Sequence, residues 1–336
     1  MFGMGKVFVA ELSEGQTVDS VFALRFKEMR LARSGEPYLA LELGDRSGRI
    51  RGVLFSPGTE EMAIPAGGVV RVSGRVSSFG GRRRITVRRM SPAEEYDPAD
   101  FVPSSSRRKD ELVFRFNRLR ESVRHPGLAS LLSEVFGNER LWRDFTECPG
   151  AAQHHHAYLG GLLEHTVNVG HLCVTLAALY PRVDRDLLVA SALLHDVGKV
   201  EELDWSTDIT YTSQGRMLGH VVLGERTISR ALDRVGEALD EEAGARLLHV
   251  IVSHHGELEW GAPKPPCVLE ALLLHHADNL DAKAEGFIEA VSGAGAAGEG
   301  WSAVTNLFRR PLYVPRPIHR EMADRDPDEE CCTRSA

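Results

Sequence analysis

The chain has 336 residues and 37.0 kDa, 43% hydrophobic and 26% charged, which excludes general disorder and suits two domains of roughly 100–200 residues each. Its 32 glycines follow no fixed period, so collagen-like and solenoid readings fail. The net charge of -8 is uneven: residues 1–90 hold 15 Lys+Arg against 9 Asp+Glu, net +6, and residues 125–336 hold 18 against 32, net -14. One surface for a polyanion and one site for cations follow from that split.

From about residue 7 to 90 the hydrophobic period is two. Phe22, Leu24 and Phe26 alternate with Ala23, Arg25 and Lys27, and Leu39, Leu41 and Leu43 alternate with Tyr38, Ala40 and Glu42. Asp45-Arg46-Ser47-Gly48 and Gly80-Gly81 are turn signals. About five short strands without long helices predict a small all-β barrel of the OB-fold kind. Residues 93–110, with prolines and a serine cluster, read as a linker. From 111 the period becomes helical, with segments near 111–123, 128–136, 158–179, 186–196, 218–239, 241–253 and 267–290. The expected division is a barrel over 1–92, an all-helical bundle over 111–315, and a loose tail over 316–336.

The N-terminus lacks the apolar core of a signal peptide, and no run of about 18 apolar residues appears, so no membrane span is expected. The five cysteines, Cys148, Cys173, Cys267, Cys331 and Cys332, form no zinc spacing. They suggest a reducing, cytoplasmic setting.

The strongest chemical signal is LLHDVGK at 193–199. His195 and Asp196 offer an imidazole and a carboxylate to one or two cations, Asp196 has two oxygens with which to bridge a pair, and Lys199 lies one turn on. His165 precedes this motif, and His220, His254, His255 and Asp278 follow, at helix-scale separations, each on or at the end of a predicted helix. Bundle metal sites are built from ligands on facing helices. Imidazole and carboxylate without thiolate suit manganese, iron, cobalt or zinc, with manganese favoured. His156 is open between helix packing, contact with a phosphate or terminal nucleotide, and a place on or behind a metal, His154 and His155 read as a polar helix start, Asp281 either ligates or holds a ligand, and Glu164, Asp281 and Glu225 are all candidates to hold a ligand imidazole.

The H…HD…D pattern resembles the HD superfamily of metal-dependent phosphohydrolases, and the added His220 and His254/His255 resemble its binuclear members. An Arg-rich barrel ahead of HHAYLGGLLEHT, LLHDVGKV, GHVVLGE, VSHHG, ADNLDAK and WSAVTNLF…PLYVP, in that order, resembles the YhaM-type 3′-to-5′ exoribonucleases over about residues 5 to 315. The resemblance implies metal ligands at His165, His195, Asp196 and Asp278. His220 and His254 complete a second metal, Lys199 takes the motif lysine position, and His255 either ligates or holds a ligand. It implies a cation pair that activates water for in-line attack on phosphorus, releasing nucleoside 5′-monophosphates.

In the barrel, Arg25, Lys27, Arg51, Arg71, Arg75, Arg82, Arg84 and Arg88 fall on strand phases opposite the apolar residues. A solvated basic face and a path for single-stranded RNA, with DNA as a further substrate, both fit; Tyr38, Phe55 and Phe79 are candidate stacking aromatics. Assembly into a homo-oligomer is compatible with the sequence. The competing functions are a nucleotide or cyclic-nucleotide phosphohydrolase, which leaves the basic barrel without a role, and a non-catalytic nucleic-acid-binding accessory protein.

Overall fold

The structure, a computed structural model, describes residues 6–32, 35–79, 82–102, 104–105, 107–152, 156–292 and 300–314. Of the expected features, His154, His155 and the tail from 316 lie outside the described residues, as do the side chains of Phe79 and Arg82.

Five strands form the first layer: β1 (Thr17–Leu31), β2 (Pro37–Asp45), β3 (Gly48–Phe55), β4 (Val69–Phe79) and β5 (Arg82–Pro92), with a short helix α1 (Thr59–Ala63) before β4. They close in the order β1-β2-β3-β5-β4. Every pairing is antiparallel except β3 with β5. β1 closes the ring because its 15 residues pair with β4 over the first half and β2 over the second. Closure removes free sheet edges. Alternate residues such as Phe22, Leu24, Leu41, Leu43, Val72 and Ile85 fill the interior. This is the predicted OB-fold barrel.

The alternation fails at one place. A bulge shifts the β1 register between Leu24 and Phe26, so Phe26 turns outward and is 46% exposed. At the bulge Arg25 pairs with Asp208 of the helical region, and Thr207 Oγ1 donates to the Gly67 carbonyl at 2.9 Å. Lys27 donates to the carbonyls of Met62 and Ile64 beside α1. The first half of the expected linker is packed as well: Phe101, 1% exposed, clusters with Ala23 and Val69 on the outer side of the barrel.

The helical region runs α2 (Lys109–Glu121), α3 (Pro126–Phe136), α4 (Glu139–Glu147), α5 (Gly161–Leu179), α6 (Arg185–Leu194), α7 (Lys199–Glu202), the ribbon β6 (Leu203–Asp204) and β7 (Thr210–Tyr211), α8 (Ser213–Val235), α9 (Glu241–Ser253) and α10 (Leu269–Ser292). Side chains cap many starts: Asp184, Thr212 and Asp240 accept the amides of Leu187, Gly215 and Ala243. α6 has eight of its ten residues buried, Leu187 through Leu194, and is the innermost helix. α5 has the length and mean hydropathy, 1.2, to cross a bilayer, although its sequence did not read as an apolar run. Here it is a core helix that carries Glu164 and His165 into the interior. The described residues from Lys283 onward form a second compact unit, in which Phe287 packs on Phe308 and Trp301 on Tyr313.

Candidate metal centre

Helix ends and one helix interior deliver the candidate ligands. His165 lies in the first turns of α5, His195 is the C-cap of α6 with Asp196 next to it, and His254 is the C-cap of α9 with His255 next to it. His220 follows Gly219, whose φ of 72° breaks α8 and re-aims the chain. Asp278 and Asp281 lie one turn apart on α10.

These side chains meet in two clusters joined by Asp196. In the first, His165 Nε2 is 3.2 Å from His195 Nε2 and 3.2 Å from Asp278 Oδ1, and Asp196 Oδ2 lies 3.5 Å from His165 Nε2 and 3.3 Å from His195 Nε2. In the second, His220 Nε2 is 3.1 Å from His255 Nε2, and Asp196 Oδ1 lies 3.4 Å from His220 Nε2 and 3.7 Å from His254 Nε2. The two oxygens of one carboxylate thus face different clusters. His255 stands with the ligand atoms and not merely behind them: His220, His254 and His255 place ligand atoms within 4.8 Å of one another, as do His165, His195 and Asp278.

The far nitrogen of each ring is anchored. His195 Nδ1 donates to the Ala192 carbonyl at 2.8 Å, His254 Nδ1 to Ile251 at 2.6 Å and His255 Nδ1 to Trp260 at 2.8 Å. His220 Nδ1 donates to Glu202 Oε1 at 3.1 Å and His165 Nδ1 to Asp281 Oδ2 at 2.7 Å. Anchoring Nδ1–H leaves the Nε2 lone pair pointing into the clusters, the tautomer a metal ligand needs. His254 Nε2 is buried and without a hydrogen-bond partner, an orphan that a divalent cation would satisfy. The donor set fits such a cation.

A backbone contact sets the spacing of the site. A Cβ on Gly198 would lie 2.1 Å from the His220 carbonyl oxygen and 2.4 Å from the Gly224 amide nitrogen. Only glycine lets the α7 turn approach α8 so closely.

Burial opposes the charge on Asp196, but Lys199, then His195 and His220, overcome it and hold its carboxyl well below the usual range. Lys199 Nζ donates to Asp196 Oδ2 and to the Gly150 carbonyl, both at 2.7 Å. Burial likewise pushes His254 and His255 down, so both stay neutral. His165 differs. Burial would lower it, yet its hydrogen bonds to Asp278 and Asp281 raise it from 6.5 to about 10. In the metal-free protein this proton stabilises the fold fully below pH 6.5, and that contribution fades as pH rises toward about 10. A cation reaching His165 has to displace the proton. Loading is expected to release about one proton near pH 7–8, and affinity to rise about tenfold per pH unit until pH approaches the His165 value. Calorimetry in buffers of different ionisation enthalpy measures this; no proton release would refute it.

Residues 162–283 match the family described as HD domain. The helical region contains an HD domain. Among solved structures, the chain is similar to the second OB-fold domain of replication protein A from Methanococcus maripaludis, at 20% identity and a TM-score of 0.24, over 28% of this chain and 99% of that one. It is also similar to a chain of a replication protein A heterotrimer bound to ssDNA, at 23% identity and a TM-score of 0.21, over 27% of this chain and 67% of that one. The HD domain is the fold of metal-dependent phosphohydrolases, and the clusters supply its His/Asp ligand chemistry.

Several residues around the HD-domain centre are joined in a way that spacing does not reveal. His156 Nε2 donates to the same Asp281 Oδ2 that holds His165, at 2.9 Å. Its Nδ1 lies 2.7 Å from the Tyr158 hydroxyl, which donates to Glu164 at 2.9 Å. Ser105 Oγ, at 2.6 Å, and Arg107 Nε, at 3.1 Å, reach Glu164 from the linker. Of the three carboxylates considered for this role, Asp281 touches a ligand, Glu164 acts two residues away through Tyr158 and His156, and Glu225 is engaged by Ser229. Glu202, which fixes His220 through side chain and backbone amide alike, carries no motif signal.

The predicted basic residues of the barrel divide. Arg51, Arg84 and Tyr38 line one groove of about 440 Å³ together with Phe26, Arg30 and Arg83. Tyr38 packs on the half-exposed Phe55 at 5.9 Å. Arg71 instead pairs with Asp19 at 2.8 Å, and Arg75 donates to the Gly15 carbonyl at 3.0 Å. Arg88 is exposed on β5, while Arg25 and Lys27 are held by Asp208 and the α1 carbonyls.

Proposed function

We propose that the protein is a metal-dependent 3′-to-5′ exonuclease of single-stranded RNA, with DNA as a further substrate, yielding nucleoside 5′-monophosphates in a reducing, cytoplasmic setting. The observation that carries this reading is Asp196, which offers one oxygen to each ligand cluster in a chain that also has an arginine- and aromatic-lined barrel groove. Two divalent cations, manganese before iron, cobalt or zinc, would supply Lewis acidity at a phosphoryl oxygen and a water acidic enough to attack at neutral pH. His165, His195, Asp196 and Asp278 would hold one of them, and Asp196, His220, His254 and His255 would hold the other. Lys199 lines the same pocket as Asp196 and Asp278. Burial works against its ammonium, but Asp196 keeps it charged, so it can neutralise a phosphate oxygen. The anchored Nδ1 atoms orient the imidazoles before substrate arrives.

The test is end-labelled RNA incubated with Mn²⁺. Stepwise loss of nucleotides from the 3′ end, with a blocked 3′ end resisting, supports the reading. Intact RNA under each of the four metals sinks it. In the same assay, Arg51→Ala is expected to weaken binding of long strands and to lower the slope of log affinity against log salt by about 0.7 for the lost phosphate contact. Arg51 is exposed and forms no ion pair among the described residues. Hydrolysis of a dinucleotide should suffer less than that of long strands; an equal loss on both substrates would remove the groove from the strand path.

A further inference from the structure

The open pocket at the metal centre, about 210 Å³, is lined by Asp196, Lys199, His255 and Asp278 and, outside the metal chemistry, by Trp260, His275, Asn279 and Ala282. Trp260 is a large aromatic side chain, 54% exposed, beside a polar site. Its position is fixed all the same. Its carbonyl accepts His255 Nδ1 at 2.8 Å, and its ring lies 5.7 Å from the His275 ring at 40°. Gly256, with φ of +81°, passes so close to His275 that a Cβ would fall 2.4 Å from the imidazole. The loop that carries the indole is thereby tied to a ligand of one cluster and to the helix that supplies Asp278. Asn279, next to Asp278 on α10, is half-buried, and its amide has no hydrogen-bond partner among the described residues. A flat, preplaced aromatic face beside ligands that take a phosphate, with an unpaired amide nearby, matches the chemistry of a nucleotide: phosphate, sugar and planar base.

We propose that Trp260 is the stacking platform for the base of the terminal nucleotide whose phosphate lies at the metal centre. This rests on the exonuclease reading and deepens it. Stacking tolerates every base because each has a π-face, and it is lost only when the base or the ring is removed. The site therefore recognises an end by the presence of a base without selecting its sequence.

The experiment compares two RNA strands that differ at one point: a 3′-terminal adenosine, or an abasic ribose in its place. The wild type is expected to favour the adenosine end in kcat/KM by about 5- to 150-fold, the range of base–aromatic stacking. Trp260→Ala should lose that preference by slowing the adenosine end alone, and Trp260→Phe should keep most of it. Metal content equal to wild type in both variants shows that His255 is still anchored. A Trp260→Ala variant that slows both ends equally, or neither, overturns the proposal while leaving the exonuclease reading intact. If the wild type cleaves no RNA, the exonuclease reading fails by itself, and calorimetric binding to the metal-loaded protein decides the stacking claim. Adenosine 5′-monophosphate binding more tightly than ribose 5-phosphate in wild type, and equally in Trp260→Ala, supports it. Equal binding of the two in wild type overturns it.

Discussion

Asp196→Asn is expected to lower hydrolysis by about a thousandfold or more and to strip cations from both clusters at once. Removing one preorganised electrostatic group from an active site costs about a hundred- to a thousandfold. Here a single change removes a ligand from each cluster, since Oδ2 faces His165 and His195 while Oδ1 faces His220 and His254. The amide keeps the volume but not the charge. Lys199, 13% exposed at its side chain and 2.7 Å from Asp196, then loses its partner. Breaking a buried pair of this kind costs about 3–5 kcal/mol. The double variant Asp196→Asn/Lys199→Met is therefore expected to recover thermal stability without recovering activity or metal. Elemental analysis, melting temperature and rate on one preparation separate the two effects. Wild-type metal content in Asp196→Asn would refute the bridging role.

Asp281→Asn should weaken the cation held by His165 about 10- to 100-fold, the usual cost of removing the partner of a ligand imidazole, and leave the His220–His254–His255 cluster near wild type. Asp281 Oδ2 accepts from His165 Nδ1 at 2.7 Å and from His156 Nε2 at 2.9 Å. A neutral amide cannot supply the charge that helps raise His165 to about 10. The variant thus carries a signature that misfolding would not imitate. Its His165 value moves back toward 6.5, so proton release on metal loading near pH 8 falls from about one toward none. Undiminished proton release would show that Asp278 alone holds the His165 proton.

The barrel was legible because alternate burial leaves a period of two, and the helices because one apolar face recurs every three to four residues. The bulge after Leu24 was not legible, since register is set by main-chain pairing with β2 and no glycine or proline marks it. It moved Phe26 from the expected interior to the groove, and it accompanies the use of Arg25 as a partner for Asp208. α4 was missed because nine residues are too few for its apolar Leu141, Trp142 and Phe145 to show a period. Its signal was Asn138, whose side chain accepts the Leu141 amide at 3.0 Å. The ligands could be found because histidines and an aspartate recur at helix-scale separations on either side of LLHDVGK. Glu202 and Tyr158 could not, because what makes them matter is a neighbour supplied by folding: His220, 18 residues away, for Glu202, and the buried Glu164 for Tyr158. Trp260 escaped for the same reason, as its relation to the ligands runs through a main-chain carbonyl that no side-chain pattern encodes.

The contact of Gly198 with the His220 carbonyl gives the pocket a rigid gauge. Peptide groups touching across two turns cannot be lengthened or shortened by exchanging side chains. The interval between Asp196 and His220 is therefore inherited from the chain path. A pair of cations would have to fit the interval that the main chain sets, because the rings around it are anchored as well.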